Sequence, residues 1–138
     1  MASRTPGYSG TPLARKLGIG VGACVLPIDP PGEYRQMLAP IPEGVIFAAR
    51  LSQKVDLIHV FVDKRSVLER RLRQLRNRIR PDTALWVSWP KKASKVPTDV
   101  TEDTIRAVAL PLGFVDVKVC AVSDVWSGLK IVIRRELR

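Results

Sequence analysis

Two continuous apolar runs, Asp56 to Val62 (DLIHVFV) and Ala84 to Trp89 (ALWVSW), constrain the fold more than any other feature of this sequence. Runs of this length bounded by polar residues are typical of strands that are covered on both faces of a parallel sheet. The segment between them has apolar residues at helical spacing: Leu68, Leu72, Leu75 and Ile79. Because strand–helix–strand units with short connections are parallel and right-handed, this region predicts an α/β fold.

The helix between the two runs is predicted to span Ser66 to Arg80. Its start matches a capping box, Ser66-Val67-Leu68-Glu69, and Pro81 and Asp82 follow its end.

The N-terminal half predicts an irregular arm over residues 1–10, and then a short helix that Thr11 and Pro12 begin and Gly18 ends. Two strands are expected, Ala23 to Ile28 and Val45 to Arg50, with a brief helical stretch from Glu33 to Leu38 between them. Pro27 lacks an N–H and should keep the first strand short, bulged or close to a sheet edge.

The C-terminal part predicts a helix capped by Thr101 and ended near Gly113, then two alternating strands, Val115 to Val122 and Leu129 to Arg135. The loop joining these strands is short enough to favour an antiparallel return. We therefore predict one three-layer α/β domain over residues 11–138, with about six strands in the order 2-1-3-4-6-5.

Composition excludes several classes of protein. The sequence has no apolar run near the roughly 18 residues of a membrane span and no apolar core of a signal peptide near Met1, so we expect a cytoplasmic protein without a membrane partner. Cys24 and Cys120 lie in separate apolar stretches rather than in a metal-ligand cluster, so we predict two buried, reduced structural thiols and no metal site.

The second half of the chain resembles a class I methyltransferase of the Rossmann type. The turn that leads into the fifth strand of that fold is similar to the residues Arg80-Pro81-Asp82-Thr83-Ala84-Leu85-Trp86-Val87. Three further segments resemble a family of small bacterial proteins of unknown function: Gly7 to Leu13, Val87 to Lys92 and Val117 to Val122. The first resemblance implies a shortened, degenerate methyltransferase-like fold. The second implies no particular activity.

The chain departs from the methyltransferase pattern where the cofactor S-adenosylmethionine would bind. That pattern needs a glycine-rich loop after the first strand and an acidic residue after the second. Here the loop is Asp29-Pro30-Pro31-Gly32-Glu33, with one glycine, and the second strand ends at Arg50. About two strand–helix units of a full enzyme also have no counterpart. We therefore expect no cofactor.

Basic and hydroxyl side chains follow the predicted strands at the carboxyl edge of the sheet, where ligands bind in open α/β folds. The anion-binding candidates are Arg50, Lys64, Arg65, Lys91, Lys92 and Ser94, and the candidates for lining the cleft are Asp29, Trp89 and Trp126. Trp126 lies in a loop that is interpreted either as a lid or as a hairpin turn. The set favours a non-enzymatic module that binds a phosphate-bearing small molecule or an acidic partner, although solvated loops often carry charge without a ligand.

Most of the net charge of +10 falls in residues 64–80, which contain eight basic residues and one acidic residue. Arg70, Arg73 and Arg76 could follow a phosphate backbone, so nucleic-acid binding is an alternative, although exposed aromatic residues do not accompany them. A further alternative is a minimal transferase-type enzyme. The single histidine, His59, lies inside an apolar strand and is predicted to be a hydrogen-bonded core residue rather than a catalyst. Oligomeric state stays open.

Overall fold

The computed structural model describes residues 10–138, so the predicted arm lies outside the described residues except for Gly10. Its helices are α1 (Leu13–Leu17), α2 (Tyr34–Leu38), α3 (Arg65–Arg76) and α4 (Glu102–Ala109). Its strands are β1 (Cys24–Ile28), β2 (Ile46–Phe47), β3 (Leu57–Phe61), β4 (Ala84–Pro90), β5 (Phe114–Ala121) and β6 (Trp126–Ile133). Short 3₁₀ turns cover Lys92–Ser94, Leu110–Leu112 and Arg135–Leu137.

The six strands form one sheet in the order β2-β1-β3-β4-β6-β5, as predicted. The first four strands of that order pair in parallel, and β6 runs antiparallel to both β4 and β5. All five residues of β3 are buried, which explains its unbroken apolar run. The predicted fold class is therefore confirmed.

Two apolar clusters cover the two faces of the sheet and make the three layers. Helices α1 and α2 pack on one face through Leu13, Leu17 and Leu38. Helices α3 and α4 pack on the other face through residues such as Leu72 and Ile105. Trp86 and Trp89 lie in opposite clusters because they are three positions apart along β4, and side chains an odd number of positions apart point to opposite faces of a sheet.

Strand β2 is much shorter than the predicted Val45 to Arg50, and Pro27 of β1 gives the reason. The Ala48 N–H donates to the Val25 carbonyl at 2.7 Å. The next bond of a parallel ladder would need an N–H on Pro27, which proline lacks, so pairing stops there. Residues 48–50 leave the sheet at that point.

The start of α3 also differs from the predicted capping box. The helix begins at Arg65, and its Lys64 cap residue makes no side-chain capping bond. Instead the Arg65 N–H donates to Asp99 Oδ1 at 2.7 Å, across 34 positions of sequence, while Glu69 pairs with the Arg65 side chain. By contrast, the predicted cap at Thr101 is confirmed, because its hydroxyl accepts the Thr104 N–H at 3.2 Å.

The two edges of the sheet are unlike each other. Strand β2 has two residues, whereas β5 has eight and pairs with β6 along one side only. The register of β5 against β6 shifts between Asp116 and Lys118, and the valines on either side of Lys118 are exposed. Within residues 10–138, no helix has the length and apolar character needed to cross a bilayer.

Candidate functional site

The parallel strands β1, β2 and β3 end close together, and cavities open at this carboxyl edge. The largest of those considered, about 650 Å³, lies between the ends of β1 and β2 and is called here the β1–β2 cavity. Its lining includes Pro30, Pro31, Tyr34, Arg35, Gln36 and Phe47. The Arg35 guanidinium lies over the Phe47 ring, 4.3 Å from its centre, so a cation is held at the cavity wall.

A buried hydrogen-bonded chain runs from this cavity into the core. The Tyr34 hydroxyl lies 2.9 Å from His59 Nδ1, and His59 Nε2 lies 2.7 Å from Ser88 Oγ. All three residues are buried. Burial lowers the pKa of His59 to about 3 and raises the pKa of Tyr34 well above its ordinary value. Both ring nitrogens of His59 are therefore engaged, which matches the prediction of a core histidine.

Arg50 lies at a second cavity, on the α3 side of the sheet. This arginine cavity has a volume of about 280 Å³ and is lined by three arginines, Arg50, Arg71 and Arg78, together with Gln74 and apolar residues. Pro27 and Ala49 line both cavities, so the end of β1 separates them. Sequence reasoning found Arg50 but missed Arg71 and Arg78, because the positions of Arg71 on α3 and of Arg78 in the turn after α3 relative to β1 depend on the packing of the helix.

Lys64 and Arg65 are exposed near the start of α3, where negative charge is already supplied from within the chain. The Asp99 carboxylate accepts a hydrogen bond from the Arg65 N–H, and the Thr98 hydroxyl donates to the Asp63 carbonyl at 2.7 Å. Lys64 lines a third cavity, of about 480 Å³, together with Asp63 and Asp99. Two carboxylates beside one lysine make this a poor position for an anion.

The lysines after β4 lie outside the four cavities considered within residues 10–138, and so does Ser94. The Ser94 hydroxyl donates to the Lys91 carbonyl at 2.6 Å and accepts the Val96 N–H, so it stabilises its own turn. Lys92 is exposed, and Lys91 is half-buried.

The three predicted cleft residues have different surroundings. Asp29 and Trp126 line a cavity of about 280 Å³ together with Phe61, whose ring centre is 5.0 Å from that of Trp126. Trp89 lines none of the four cavities considered within residues 10–138; its side chain is 8% exposed and packs in the cluster under α3 and α4, and a cleft-lining role for it stays a prediction. Because Trp89 lies three positions after Trp86 on β4, its side chain points to the face of the sheet that α3 and α4 cover.

The loop before β6 is a tight hairpin turn rather than a lid. The Ser123 hydroxyl accepts the N–H groups of Val125 and Trp126, each at 3.1 Å. Strand β6 begins at Trp126 instead of Leu129, because Trp126 already pairs with Pro90 of β4.

The arginines of α3 divide into engaged and solvated side chains. Arg71 pairs with Asp29 at 2.8 Å, and Arg76 donates to the Leu112 carbonyl at 2.8 Å. Arg76 is half-buried and connects α3 to the turn before β5, and its contact with a nucleic acid stays a prediction. Arg70 and Arg73 are exposed and have no side-chain partner among residues 10–138.

Cys24 and Cys120 are unpaired and partly buried, and burial raises the pKa of the Cys120 thiol. In the described part of the chain, no group of three or more His, Cys, Asp or Glu residues could hold a metal ion.

Comparison with known proteins identifies the fold. No protein-family model and no curated protein sequence matches the chain. Among solved structures, a SAM-dependent methyltransferase from Aquifex aeolicus is similar with a TM-score of 0.66 and 15% identity, covering 88% of each chain. The N-methyltransferase NodS from Bradyrhizobium japonicum WM9 is similar with a TM-score of 0.57 and 12% identity, covering 93% of this chain and 100% of that one.

A third structure, an S-adenosylmethionine-dependent methyltransferase from Clostridium acetobutylicum ATCC 824, has a TM-score of 0.58 at 9% identity, covering 82% of this chain and 85% of that one. The chain therefore has the Rossmann-like α/β fold of class I SAM-dependent methyltransferases. The chain covers 85% or more of the length of these three structures, and the shortening of the fold relative to a full enzyme stays a prediction.

Proposed function

We propose that this protein is a non-enzymatic module that binds an anionic, phosphate-bearing small molecule at the carboxyl edge of its sheet. The observation that carries the proposal is the β1–β2 cavity. Its lining combines a cation on Arg35 and an amide on Gln36 with the apolar surfaces of Phe47 and three prolines. Its described lining contains no carboxylate, histidine or thiol. Such a surface attracts an anion and offers apolar contact to the rest of the ligand.

The state of Tyr34 supports binding without catalysis. Tyr34 is the titratable group of the lining besides Arg35, and its hydroxyl is engaged by His59. Because its pKa is raised and that of His59 is lowered by burial, neither group exchanges protons near neutral pH. A general acid or base for a reaction would have to come from the ligand or from elsewhere.

The exposed cations at the same edge have a secondary role in this proposal. Lys91 and Lys92 follow the end of β4 and would raise the local concentration of an anion without touching it, whereas Asp63, Asp99 and Glu69 offset the charges of Lys64 and Arg65 after β3. We expect the contribution of Lys91 and Lys92 to weaken with salt, whereas the contact with Arg35 persists better.

The test is a thermal-shift and calorimetry screen of nucleoside monophosphates, nucleoside diphosphates and polyphosphate. We expect at least one of them to raise the melting temperature, and Arg35→Gln to weaken its binding by about tenfold or more. A Lys91→Ala/Lys92→Ala double variant should weaken binding less, mainly at low salt. Arg70→Gln/Arg73→Gln is the matched control that also removes positive charge.

Two results would contradict the proposal. The first is that no anion in the panel stabilises the protein. The second is that Arg70→Gln/Arg73→Gln loses the stabilisation while Arg35→Gln keeps it, which would favour binding along α3.

Nucleic-acid binding is the second candidate, and the exposed, unpartnered side chains of Arg70 and Arg73 favour it. It differs in its salt dependence, because affinity for a polynucleotide falls steeply as ionic strength rises. The engagement of Arg76 within the chain reduces its availability for such a row.

The solved structures favour a third candidate, a SAM-dependent transferase, because the three neighbours described above carry that activity in their names. The composition of the loop after β1 opposes it, since Asp29 to Glu33 contains one glycine and two prolines.

A further inference from the structure

The arginine cavity is distinct from the β1–β2 cavity and lies on the opposite face of the sheet. Leu26 and Ile28 of β1 line it together with Leu75 of α3, and these residues belong to or pack on the cluster under α3 and α4. Its polar lining consists of Arg50, Arg71, Gln74 and Arg78. The cavity thus has an apolar base and a cationic rim.

Three guanidinium groups share this small volume without a carboxylate among the lining residues. Asp29, which does not line the cavity, binds one nitrogen of Arg71 at 2.8 Å. Neither the Arg50 nor the Arg78 side chain has an ion-pair or hydrogen-bond partner among residues 10–138. Like charges held around one cavity repel one another, and a bound anion would relieve that repulsion.

Arg71 provides a second, independent observation. Its Nε is enclosed and has no hydrogen-bond partner in the described part of the chain, although its terminal nitrogen is held by Asp29. A buried donor without an acceptor costs free energy, and native proteins rarely leave one unsatisfied. Because this atom is enclosed by protein, an acceptor in the cavity reaches it only when the Arg71 side chain shifts toward the cavity.

The sequence explains why these groups lie together. Arg71 and Gln74 are three positions apart on α3, a spacing that places side chains on one face of a helix, and Arg78 follows in the turn just after α3 ends. Arg50 reaches the same place because Pro27 ends the pairing of β2 and releases residues 48–50 from the sheet. Guanidinium groups match the oxygens of phosphate in pairs, which lysines would not do.

We propose that the arginine cavity binds a dianionic phosphate group, either as free phosphate or as a small phosphomonoester. The guanidinium groups of Arg50, Arg71 and Arg78 donate to its oxygens and neutralise its charge. The ion pair with Asp29 fixes the orientation of the Arg71 guanidinium. The volume of about 280 Å³ suits a small anion better than a large cofactor.

The test is titration of the whole chain with inorganic phosphate at low ionic strength, followed by calorimetry. We expect saturable binding, weakened by about tenfold or more in Arg78→Gln and in Arg50→Gln. Arg73→Gln is the matched control, because Arg73 is an exposed, unpartnered arginine on the same helix outside the cavity. It should bind phosphate as the unaltered protein does. Thermal melting of each variant checks that it is folded.

Two further arms separate the ligand sources and the two cavities. Glycerol phosphate replaces inorganic phosphate in one arm, and tighter binding there would identify a phosphomonoester as the ligand. In the other arm, Arg35→Gln should keep phosphate binding, which distinguishes this site from the β1–β2 cavity.

The proposal is overturned if neither phosphate nor glycerol phosphate binds at millimolar concentration. It is also overturned if Arg73→Gln weakens binding as much as Arg78→Gln, or if only a polynucleotide binds and its affinity depends on Arg70 and Arg73.

Discussion

At the scale of single residues, the core accommodates one imidazole by satisfying both of its nitrogens. Tyr34 and Ser88 hold the two sides of His59, and the Phe61 ring stacks on it with 4.2 Å between ring centres. A buried polar group is tolerated when its hydrogen bonds are complete. The hydroxyl of Ser88 is therefore part of the packing of His59 rather than a free nucleophile.

Replacing Ser88 with alanine should lower the free energy of unfolding by about 1–3 kcal/mol, because a buried ring nitrogen loses its partner. Urea denaturation followed by circular dichroism measures the change. Ser66→Ala is the control, since Ser66 is exposed, and it should alter stability by less than about 0.5 kcal/mol. Equal effects of the two substitutions would contradict the role assigned to Ser88.

The same histidine predicts a pH dependence of stability. Burial lowers the pKa of His59 from 6.5 to about 3, so the unfolded chain binds a proton at pH values where the folded chain does not. The contribution of His59 to the free energy of unfolding is therefore fully present above pH 6.5. It is lost as pH falls toward 3, with a slope of up to about 1.4 kcal/mol per pH unit.

The pKa values of two carboxylates set the lower limit of the pH range in which His59 alone determines how stability changes with pH. Hydrogen bonds lower the pKa of Asp56 and Asp116 below 3.8, so both stay ionised above that value in the folded and the unfolded states. Urea denaturation between about pH 7 and pH 5 should therefore show a decline due to the histidine. A flat profile over this range would contradict the prediction.

At the scale of elements, the local sequence of α3 predicts the helix and its buried face but not the residue at which the helix begins. Its apolar spacing predicted the helix, and Leu68, Leu72 and Leu75 are indeed its buried residues. Its first residue was misplaced because the acceptor for Arg65 is Asp99, which follows the next strand. Helix periodicity is encoded within the element, whereas a cap supplied by a distant loop depends on the completed sheet.

Replacing Asp99 with alanine should lower the free energy of unfolding by about 1 kcal/mol, because the first amide of α3 loses a charged acceptor. Thermal unfolding of the two variants Asp99→Ala and Asp124→Ala gives the comparison. Asp124 is an exposed aspartate without a hydrogen-bond partner among residues 10–138, so its loss should be close to neutral. The prediction fails if both variants melt alike.

At the scale of the whole molecule, the strand order could be predicted but the grouping of the functional side chains could not. Apolar runs and short connections determine which strands pair, and these are visible in the sequence. The arginine cavity depends on where β2 leaves the sheet and on the side of α3 that meets it. The sequence therefore indicated a basic carboxyl edge, while Arg71 and Arg78 required the structure.

The composition of this edge predicts that S-adenosylmethionine does not bind tightly, despite the methyltransferase fold. The loop after β1 has one glycine, and residues 48–50 after β2 are Ala48, Ala49 and Arg50, without a carboxylate for the ribose hydroxyls. Calorimetry with the cofactor should show no binding in the micromolar range. A micromolar dissociation constant would restore the transferase as the leading candidate.

The two edges of the sheet differ in how readily a strand of another protein molecule could pair with them. Two residues of β2 offer almost no template for a foreign strand, but the long outer side of β5 does. On that side the register shift and the charge of Lys118, between exposed Val117 and Val119, oppose edge-to-edge pairing with the strand of a second molecule. Salt screens such a charge. Colloidal stability in concentrated salt thus depends on the C-terminal hairpin, at the opposite side of the sheet from the β1–β2 and arginine cavities.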